Sequence, residues 1–224
     1  MRIRPNTWDY VIAKSVVSGN EYGLPDDMDG WTVIDIGAHI GSFAVACQNR
    51  KAKNIYCYEP EFENFLLLHA NTDDKESPTH IFLGNCAVVG RSYGGSFGVR
   101  RLTEHDFGNG RNTGHVDIFG DTEVDDSGKI ETIEIAAVLN ECGGQIDLLK
   151  VDCEGCEWDI FEHIDLSKIK CIVAELHLPP DMEHPLLVRY RGTPLKVLCT
   201  NLARKLTAAG FETALIPTSD VTVK

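Results

Sequence analysis

Apolar positions along the chain alternate between a strand period and a helix period. Thr32-Val-Ile-Asp-Ile36 is a short β-branched run closed by Gly37, which predicts a buried strand. Ser42 to Arg50, with Phe43, Ala44, Ala46 and Cys47 as its apolar positions, predicts a helix. Asn54 to Tyr58 predicts a second strand. Glu61 to Asn71 predicts a second helix, with Phe62, Phe65, Leu66 and Leu68 to Ala70 spaced for one face. Thr79 to Gly84 predicts a third strand.

The alternation stops after Val89. Arg91 to Gly128 holds eight glycines and only short apolar runs. It is too long for an ordinary connection, so it reads as an insertion with its own hairpin, as a mobile lid, or as a plain surface loop. The pattern then resumes. Lys129 to Ile135 alternates as a strand does, and Ala136 to Cys142 predicts a short helix ended by Gly143 and Gly144. Ile146 to Val151 predicts a strand, Cys156 to His163 a helix, Lys170 to Leu178 a strand and Pro194 to Ala209 a helix stopped by Gly210. Phe211 to Ile216 and Val221 to Val223 read as two short closing strands. The organisation predicted is an extension over 1–30 and a single domain over 31–224, with the Gly-rich insertion at about 90–128.

This order predicts an α/β fold, a mostly parallel sheet with helices on both faces. Ligands of such sheets sit beyond the C-terminal ends of the strands, where strand order reverses. Attention therefore falls on Asp35 to Gly41, Glu59, Gly84 to Ala87, Asp152 to Glu154 and Glu175 to His177.

Charge narrows the partners. The chain has 21 Lys+Arg against 34 Asp+Glu, a net charge of −13, which repels phosphate backbones and anionic membranes. No run free of Asp, Glu, Lys and Arg exceeds fourteen residues, against ~18 or more apolar residues for a spanning helix. Asp9 and Lys14 interrupt the apolar part of the N-terminus, against a signal peptide. The eight cysteines show no disulfide-framework spacing and read as free thiols in a reducing, cytoplasmic setting.

Asp35-Ile-Gly-Ala-His-Ile-Gly41 runs from strand through two glycines into a helix. Gly37 allows a tight turn, Gly41 lets backbone approach a ligand, and the helix start offers N–H groups. With Ala38, His39 and Ile40 between the glycines, the pattern is not the G-x-G-x-x-G fingerprint, which speaks against a nicotinamide-dependent oxidoreductase. Asp35 at the strand tip repels a pyrophosphate but suits an ammonium group. Glu59 ends the next strand, 24 residues later, where a carboxylate binds both hydroxyls of a ribose. Together they imply an adenosine-type cofactor without a diphosphate, and S-adenosylmethionine fits. The plainer reading makes Asp35 a helix cap and Glu59 a solvated loop residue.

Asp152-Cys-Glu-Gly-Cys-Glu157 is a second strand-to-helix tip. Asp152 and Glu154 could take a proton from a hydroxyl nucleophile or hold a divalent cation, or they could cap the helix and complement its dipole. Cys153 and Cys156 form C-x-x-C without the further ligands a zinc site needs, and read as structural, with a redox role as the alternative. Glu175 and His177 fall on one side of a third tip, where His177 is a candidate general base or a histidine held by a neighbouring carboxylate. His105, His115, Arg100, Arg101 and Arg111 lie in the insertion, placed to meet a substrate or to remain a solvated cluster.

Val33 to Phe43, Tyr58-Glu-Pro60, Asn85-Cys-Ala-Val88 and Leu149-Lys-Val-Asp-Cys-Glu-Gly-Cys-Glu157 together resemble the FkbM-type methyltransferases, over roughly Trp31 to His177 apart from the insertion. The resemblance implies the class I methyltransferase architecture. That is a Rossmann-like three-layer sandwich around a seven-stranded, mostly parallel sheet with one antiparallel strand. It implies S-adenosylmethionine as methyl donor, S-adenosylhomocysteine as product, and a hydroxyl of a small metabolite or sugar as acceptor. By position, Asp35, Gly37, Ala38, His39 and Gly41 would cradle the methionine part, Glu59 the ribose, Asn85, Cys86 and Ala87 the adenine, and Asp152 would face the methyl. Asp152 or His177 is the expected base, with Glu154 and Glu175 beside them. No resident metal is expected. A metal-assisted variant would gather Asp152, Glu154 and Glu175 on Mg²⁺. A cofactor-binding module without turnover is the remaining alternative. A nucleic-acid methyltransferase is disfavoured by the charge and by the lack of an N/D-P-P-Y/F signature.

Overall fold

The computed structural model describes residues 1–91, 97–98, 100–101, 116–117, 129–177, 190, 192–214 and 216. They fall into two compact units, Met1–Arg191 and Gly192–Lys224. Among its described residues the second unit carries one helix, α6 (Leu195–Ala208), closed by Phe211 N–H donating to the Leu206 carbonyl.

The first unit begins with α1 (Asp9–Ala13), continued by a π-helical turn over Lys14–Ser18. Its centre is a five-stranded sheet. The strands are β1 (Thr32–Ile36), β2 (Asn54–Tyr58), β3 (His80–Gly84), and, after the short strands β4 (Ala87–Val89), β5 (Phe97–Gly98), β6 (Arg100–Arg101), β7 (Val116–Asp117), β8 (Lys129–Ile130) and β9 (Thr132–Glu134), the long strands β10 (Ile146–Val151) and β11 (Ile169–Ala174). The order is β11-β10-β1-β2-β3, and every pairing is parallel. The connecting helices are α2 (Ser42–Gln48), α3 (Phe62–Thr72), α4 (Ile135–Cys142) and α5 (Glu157–His163).

Strand order reverses between β1 and β10. Right-handed crossovers running outward in both directions from that seam place α2 and α3 on one face and α5 on the other, which gives three layers. On the α2 face, Val33, Ile55, Cys57 and Leu148 pack against Phe43, Ala44, Cys47 and Leu68. Burying a side chain such as Phe43 there contributes about 1.5–3 kcal/mol.

Four predicted strands appear within a residue of their expected bounds at β1, β2, β3 and β10, and the helices keep their places. Four expectations need correction. Among the described residues the central sheet has five strands, all parallel, in place of seven with one antiparallel. Residues 211–214, expected as a strand, have no regular structure, and 221–223 lie outside the described residues. The run Lys129 to Ile135 is split at Glu131, because β8 pairs antiparallel with β5 while β9 pairs parallel with β4, and Ile135 is the fully buried first residue of α4. The face expected on α3 is only partly covered: Leu68 is buried while Phe62 and Leu66 are exposed.

The insertion forms antiparallel pairs β5 with β8 and β6 with β7, nested in sequence as a hairpin is. Its His105, His115 and Arg111 lie outside the described residues. All eight cysteines are free thiols. Among the described residues no helix is long and apolar enough to cross a membrane.

The turn from β1 into α2 explains both of its glycines. Gly37 has φ +77°, and a Cβ there would lie 1.7 Å from the Asp152 backbone oxygen. Gly41 has φ +88°, and a Cβ there would lie 2.9 Å from Leu68 Cδ1. Gly37 therefore lets the ends of β1 and β10 close on each other, while Gly41 makes room for α3. Gly37→Ala is expected to cost more than about 4 kcal/mol, because its obstacle is backbone. Gly41→Ala is expected to cost about 1–3 kcal/mol, the strain of the left-handed conformation plus a yielding leucine. Urea denaturation of the two variants measures the contrast.

Candidate functional site

The hydrogen-bonded ladder runs one step beyond the strands. Gly37 and Ala38 N–H both donate to the Tyr58 carbonyl at 3.0 Å, Asp152 N–H to Ile36 at 3.1 Å, and Glu175 N–H to Val151 at 3.0 Å. The strand tips are thereby held in register around a cleft of about 230 Å³ at the β1–β10 seam. Gly37, Ala38, His39, Glu59, Cys86 and Ala87 line one side of it. Asp152, Glu154, Glu175 and His177 line the other. Asp35, Gly41 and Asn85 do not line it. Asn85 instead donates its side-chain amide to the carbonyls of Glu59 and Pro60 at 2.9 and 3.2 Å, bracing the loop after β2.

Asp35 is fully buried. Its partner is Lys150, its register neighbour on β10, whose Nζ lies 3.0 Å from Asp35 Oδ1. Lys150 also donates to the Gly37 carbonyl at 2.8 Å and lies 3.6 Å from Asp152 Oδ2. Burial alone would lower its pKa, but Asp35 and Asp152 outweigh that and hold the ammonium well above the usual lysine value. The expectation that Asp35 would meet a ligand's ammonium is thus corrected: a lysine of the protein holds that place. Lys150 is a site residue that the strand-tip pattern does not mark. A lysine inside the buried run Ile146 to Val151, two residues from Asp152 and so on the same face, was the signal.

Glu59 is nearly buried, yet each of its oxygens is engaged. Oε2 accepts from His39 N–H at 2.8 Å, and Oε1 from Glu61 N–H at 2.9 Å and Asn64 Nδ2 at 3.3 Å. Oε1 thus accepts two bonds, while Oε2 accepts one and keeps a lone pair for a ligand hydroxyl. Burial pushes its pKa to about 7 against these hydrogen bonds. His39 has φ +50°, and burial lowers its pKa to about 4, so its ring is neutral while its N–H serves Glu59.

The residues ahead of β1 complete the walls. Arg4 clasps the fully buried Asp9 through Nε at 2.9 Å and Nη2 at 3.1 Å, and donates from Nη2 to Asn64 at 2.8 Å. Ile12, Val16, Glu21 and Tyr22 line the cleft. Tyr22 O–H donates to Asp152 Oδ2 at 3.1 Å, and burial raises its phenol pKa, so it stays a donor.

Glu175 and His177 lie beyond β11, which ends at Ala174, and not in the strand as expected. Glu157, fully buried on α5, accepts from His177 Nδ1 at 3.0 Å, from Cys153 N–H at 3.0 Å and from Gly155 N–H at 2.8 Å. His177 Nε2 faces Glu154 at 3.4 Å and Glu175 at 3.8 Å. Burial would lower the imidazole pKa, but Glu157, then Glu154 and Asp152, raise it to about 10. Both nitrogens are thus committed to carboxylates. Among the described residues, the trio with ligand atoms within 4.8 Å of one another is Asp152, Glu175 and His177, in place of the expected Asp152, Glu154 and Glu175. Cys153 is half-buried beside the buried Cys156, and desolvation holds its thiol well above the usual range.

A parallel sheet with a cleft at its reversal point, a glycine turn and an acidic second strand tip define a Rossmann-like ligand-binding domain. The family model for the methyltransferase FkbM domain matches residues 35–212, and the chain belongs to that family: it is a methyltransferase of the FkbM type. No curated protein matches the chain.

Two outcomes test this account of the site. Lys150→Met strands the buried Asp35 charge and is expected to cost about 3–5 kcal/mol, and adding Asp35→Leu is expected to recover most of that loss. Denaturant unfolding of both variants measures it. Glu59 has a folded pKa raised from 4.5 to about 7, so its contribution is fully present below pH 4.5 and is lost as pH rises through 7. The melting temperature of wild type relative to Glu59→Gln is expected to fall across that window and to level off above it.

Proposed function

We propose that the protein methylates a hydroxyl group on a small metabolite or sugar, using S-adenosylmethionine and releasing S-adenosylhomocysteine, with Asp152 as the base. The observation that carries the reading is the state of Asp152 inside a cleft of a methyltransferase family member. Its contacts with Tyr22 and Lys150 are both made through Oδ2. Oδ1 is left for an acceptor hydroxyl.

Features of the cleft suit the cofactor. Ser42 Oγ is buried at its wall with no hydrogen-bond partner, a donor available to a ligand carboxylate. Glu59 would hold the ribose hydroxyls, and Cys86 and Ala87 the adenine. The turn Gly37 to His39 would hold the methionine part. Asp152, Glu154 and Glu175 give the opposite wall the negative charge that a sulfonium and an ammonium favour. When bound, the cofactor supplies a methyl group on a positively charged sulfur.

The protein's own groups then divide the work. The cleft walls orient the acceptor hydroxyl, which converts encounter into geometry. Asp152 Oδ1 takes the hydroxyl proton as the oxygen gains the methyl, and later yields it to water. Lys150 is already protonated and takes none. His177 has both nitrogens on carboxylates, which favours Asp152 over it as the base. Small hydroxyl compounds suit this acidic chain better than nucleic acid.

A second reading is metal-assisted transfer, favoured by the convergence of Asp152, Glu175 and His177. Those residues are a mixed carboxylate and imidazole set that a divalent cation accepts.

Titration calorimetry with S-adenosylmethionine, S-adenosylhomocysteine and NAD is the test. Binding of both S-adenosyl compounds and not of NAD is expected, with stabilisation of ~2.7 kcal/mol at 100 times the dissociation constant. Asp152→Asn is expected to keep S-adenosylhomocysteine affinity and to lose roughly 10²–10⁴ in methyl-transfer rate on a hydroxyl-acceptor panel. Full rate in that variant removes the base assignment. Binding without transfer to any acceptor favours a module without turnover. Unchanged rate in chelator removes the metal-assisted reading.

A further inference from the structure

The matched family domain begins at residue 35, yet one of the two side chains on Asp152 comes from ahead of it. Tyr22 sits on a loop locked by its own sequence. The Asn20 side chain accepts from Leu24 N–H and donates to the Leu24 carbonyl, each at 2.8 Å, and Gly23 N–H donates to the Asn20 carbonyl at 2.9 Å. Asn20 and Gly23 have φ of +51° and +63°, the left-handed turn geometry their residue types tolerate. The loop thus has one shape, and that shape presents Tyr22.

The Tyr22 ring is fixed on a second side. It meets Phe43, at the start of α2, edge-on, with centroids 5.1 Å apart and planes at 87°. Lys150 Nζ lies 6.0 Å from the Tyr22 centroid and 5.8 Å from that of Phe43. The phenol oxygen and Lys150 Nζ then converge on the same Asp152 oxygen, at 3.1 and 3.6 Å. Lys150 alone does not fix the carboxylate, because its ammonium is shared with Asp35 Oδ1 and the Gly37 carbonyl. A carboxylate with one oxygen held from two directions has one rotamer, and its other oxygen has one direction to face.

We infer that Tyr22 is a positioning residue for methyl transfer, supplied by the segment ahead of the family domain. Its hydroxyl, with Lys150, pins Asp152 Oδ2 so that Oδ1 is presented to the acceptor. The consequence for rate rests on the methyl-transfer reading, while the consequence for geometry does not. Tyr22→Phe is the discriminating change, since it keeps the ring against Phe43 and Lys150 and deletes only the donor.

Crystal structures of wild type and Tyr22→Phe, each with S-adenosylhomocysteine, read the position of Asp152 directly. In the variant Asp152 is expected in a second rotamer, with Oδ2 more than ~4 Å from Lys150 Nζ, beyond ion-pair reach. On a hydroxyl acceptor, kcat is expected to fall roughly 10- to 100-fold, with KM and S-adenosylhomocysteine affinity within about twofold of wild type. An Asp152 that superposes on wild type overturns the inference. A loss in S-adenosylhomocysteine affinity as large as the loss in kcat overturns it too, because that is the signature of a damaged cofactor wall. If wild type binds no S-adenosylhomocysteine, the methyl-transfer reading fails, and crystals of the free proteins still decide whether Tyr22 sets the Asp152 rotamer.

Discussion

The Asp35–Lys150 ion pair is the constraint on which the rest of the cleft depends. Neither charge is solvated, and each makes the other tolerable. The pair bridges β1 and β10 at the seam where strand order reverses. A pair of well-packed apolar residues would serve stability at least as well. What an ion pair adds is a fixed positive charge beside Asp152 and an acceptor-rich bed for the glycine turn. The protein has placed a buried polar network where its sheet opens to a ligand.

Around that pair the cleft is built from two kinds of support. On one side backbone does the work: Glu59 gathers N–H groups from the glycine turn and from the start of α3, so one carboxylate shapes two loops. On the other side charge does the work. Glu157, buried under the tip of β10, accepts two backbone N–H groups and His177, and thereby fixes the loop holding Glu154 and the residue opposite it. Asp152 stands between the two supports. It is the carboxylate at the centre whose second oxygen is not consumed by the scaffold.

The centre of the sheet was legible because β1, β2 and β10 are largely buried, whereas β3 and β11 at its edges are more exposed. Such strands are mostly apolar runs, and Thr32–Ile36, Asn54–Tyr58 and Ile146–Val151 read so despite Asp35, Asn54, Asp147 and Lys150 within them. The strand tips were legible for the same reason, since a carboxylate or glycine closing an apolar run marks its end. What misled was local chemistry with two uses. Asp35 looks the same in sequence whether it meets a ligand or a lysine. Gly41 looks the same whether it makes room for a cofactor or for Leu68. The closing strand expected over 211–216 rests on a short run, a weak signal, and residues 211–214 have no regular structure.

By itself the sequence determined the alternation of strands and helices, the parallel sheet, and the three acidic tips that face one edge. Those follow from local periodicity and burial, which every residue carries with it. Only the tertiary structure decided which groups meet. The parallel register puts Asp35 opposite Lys150, the crossovers bring Glu157 beneath His177, and a loop near the chain start delivers Tyr22 to Asp152 across 130 positions. Pairings of that kind depend on distance in space, and a linear pattern holds no record of it until the sheet has closed.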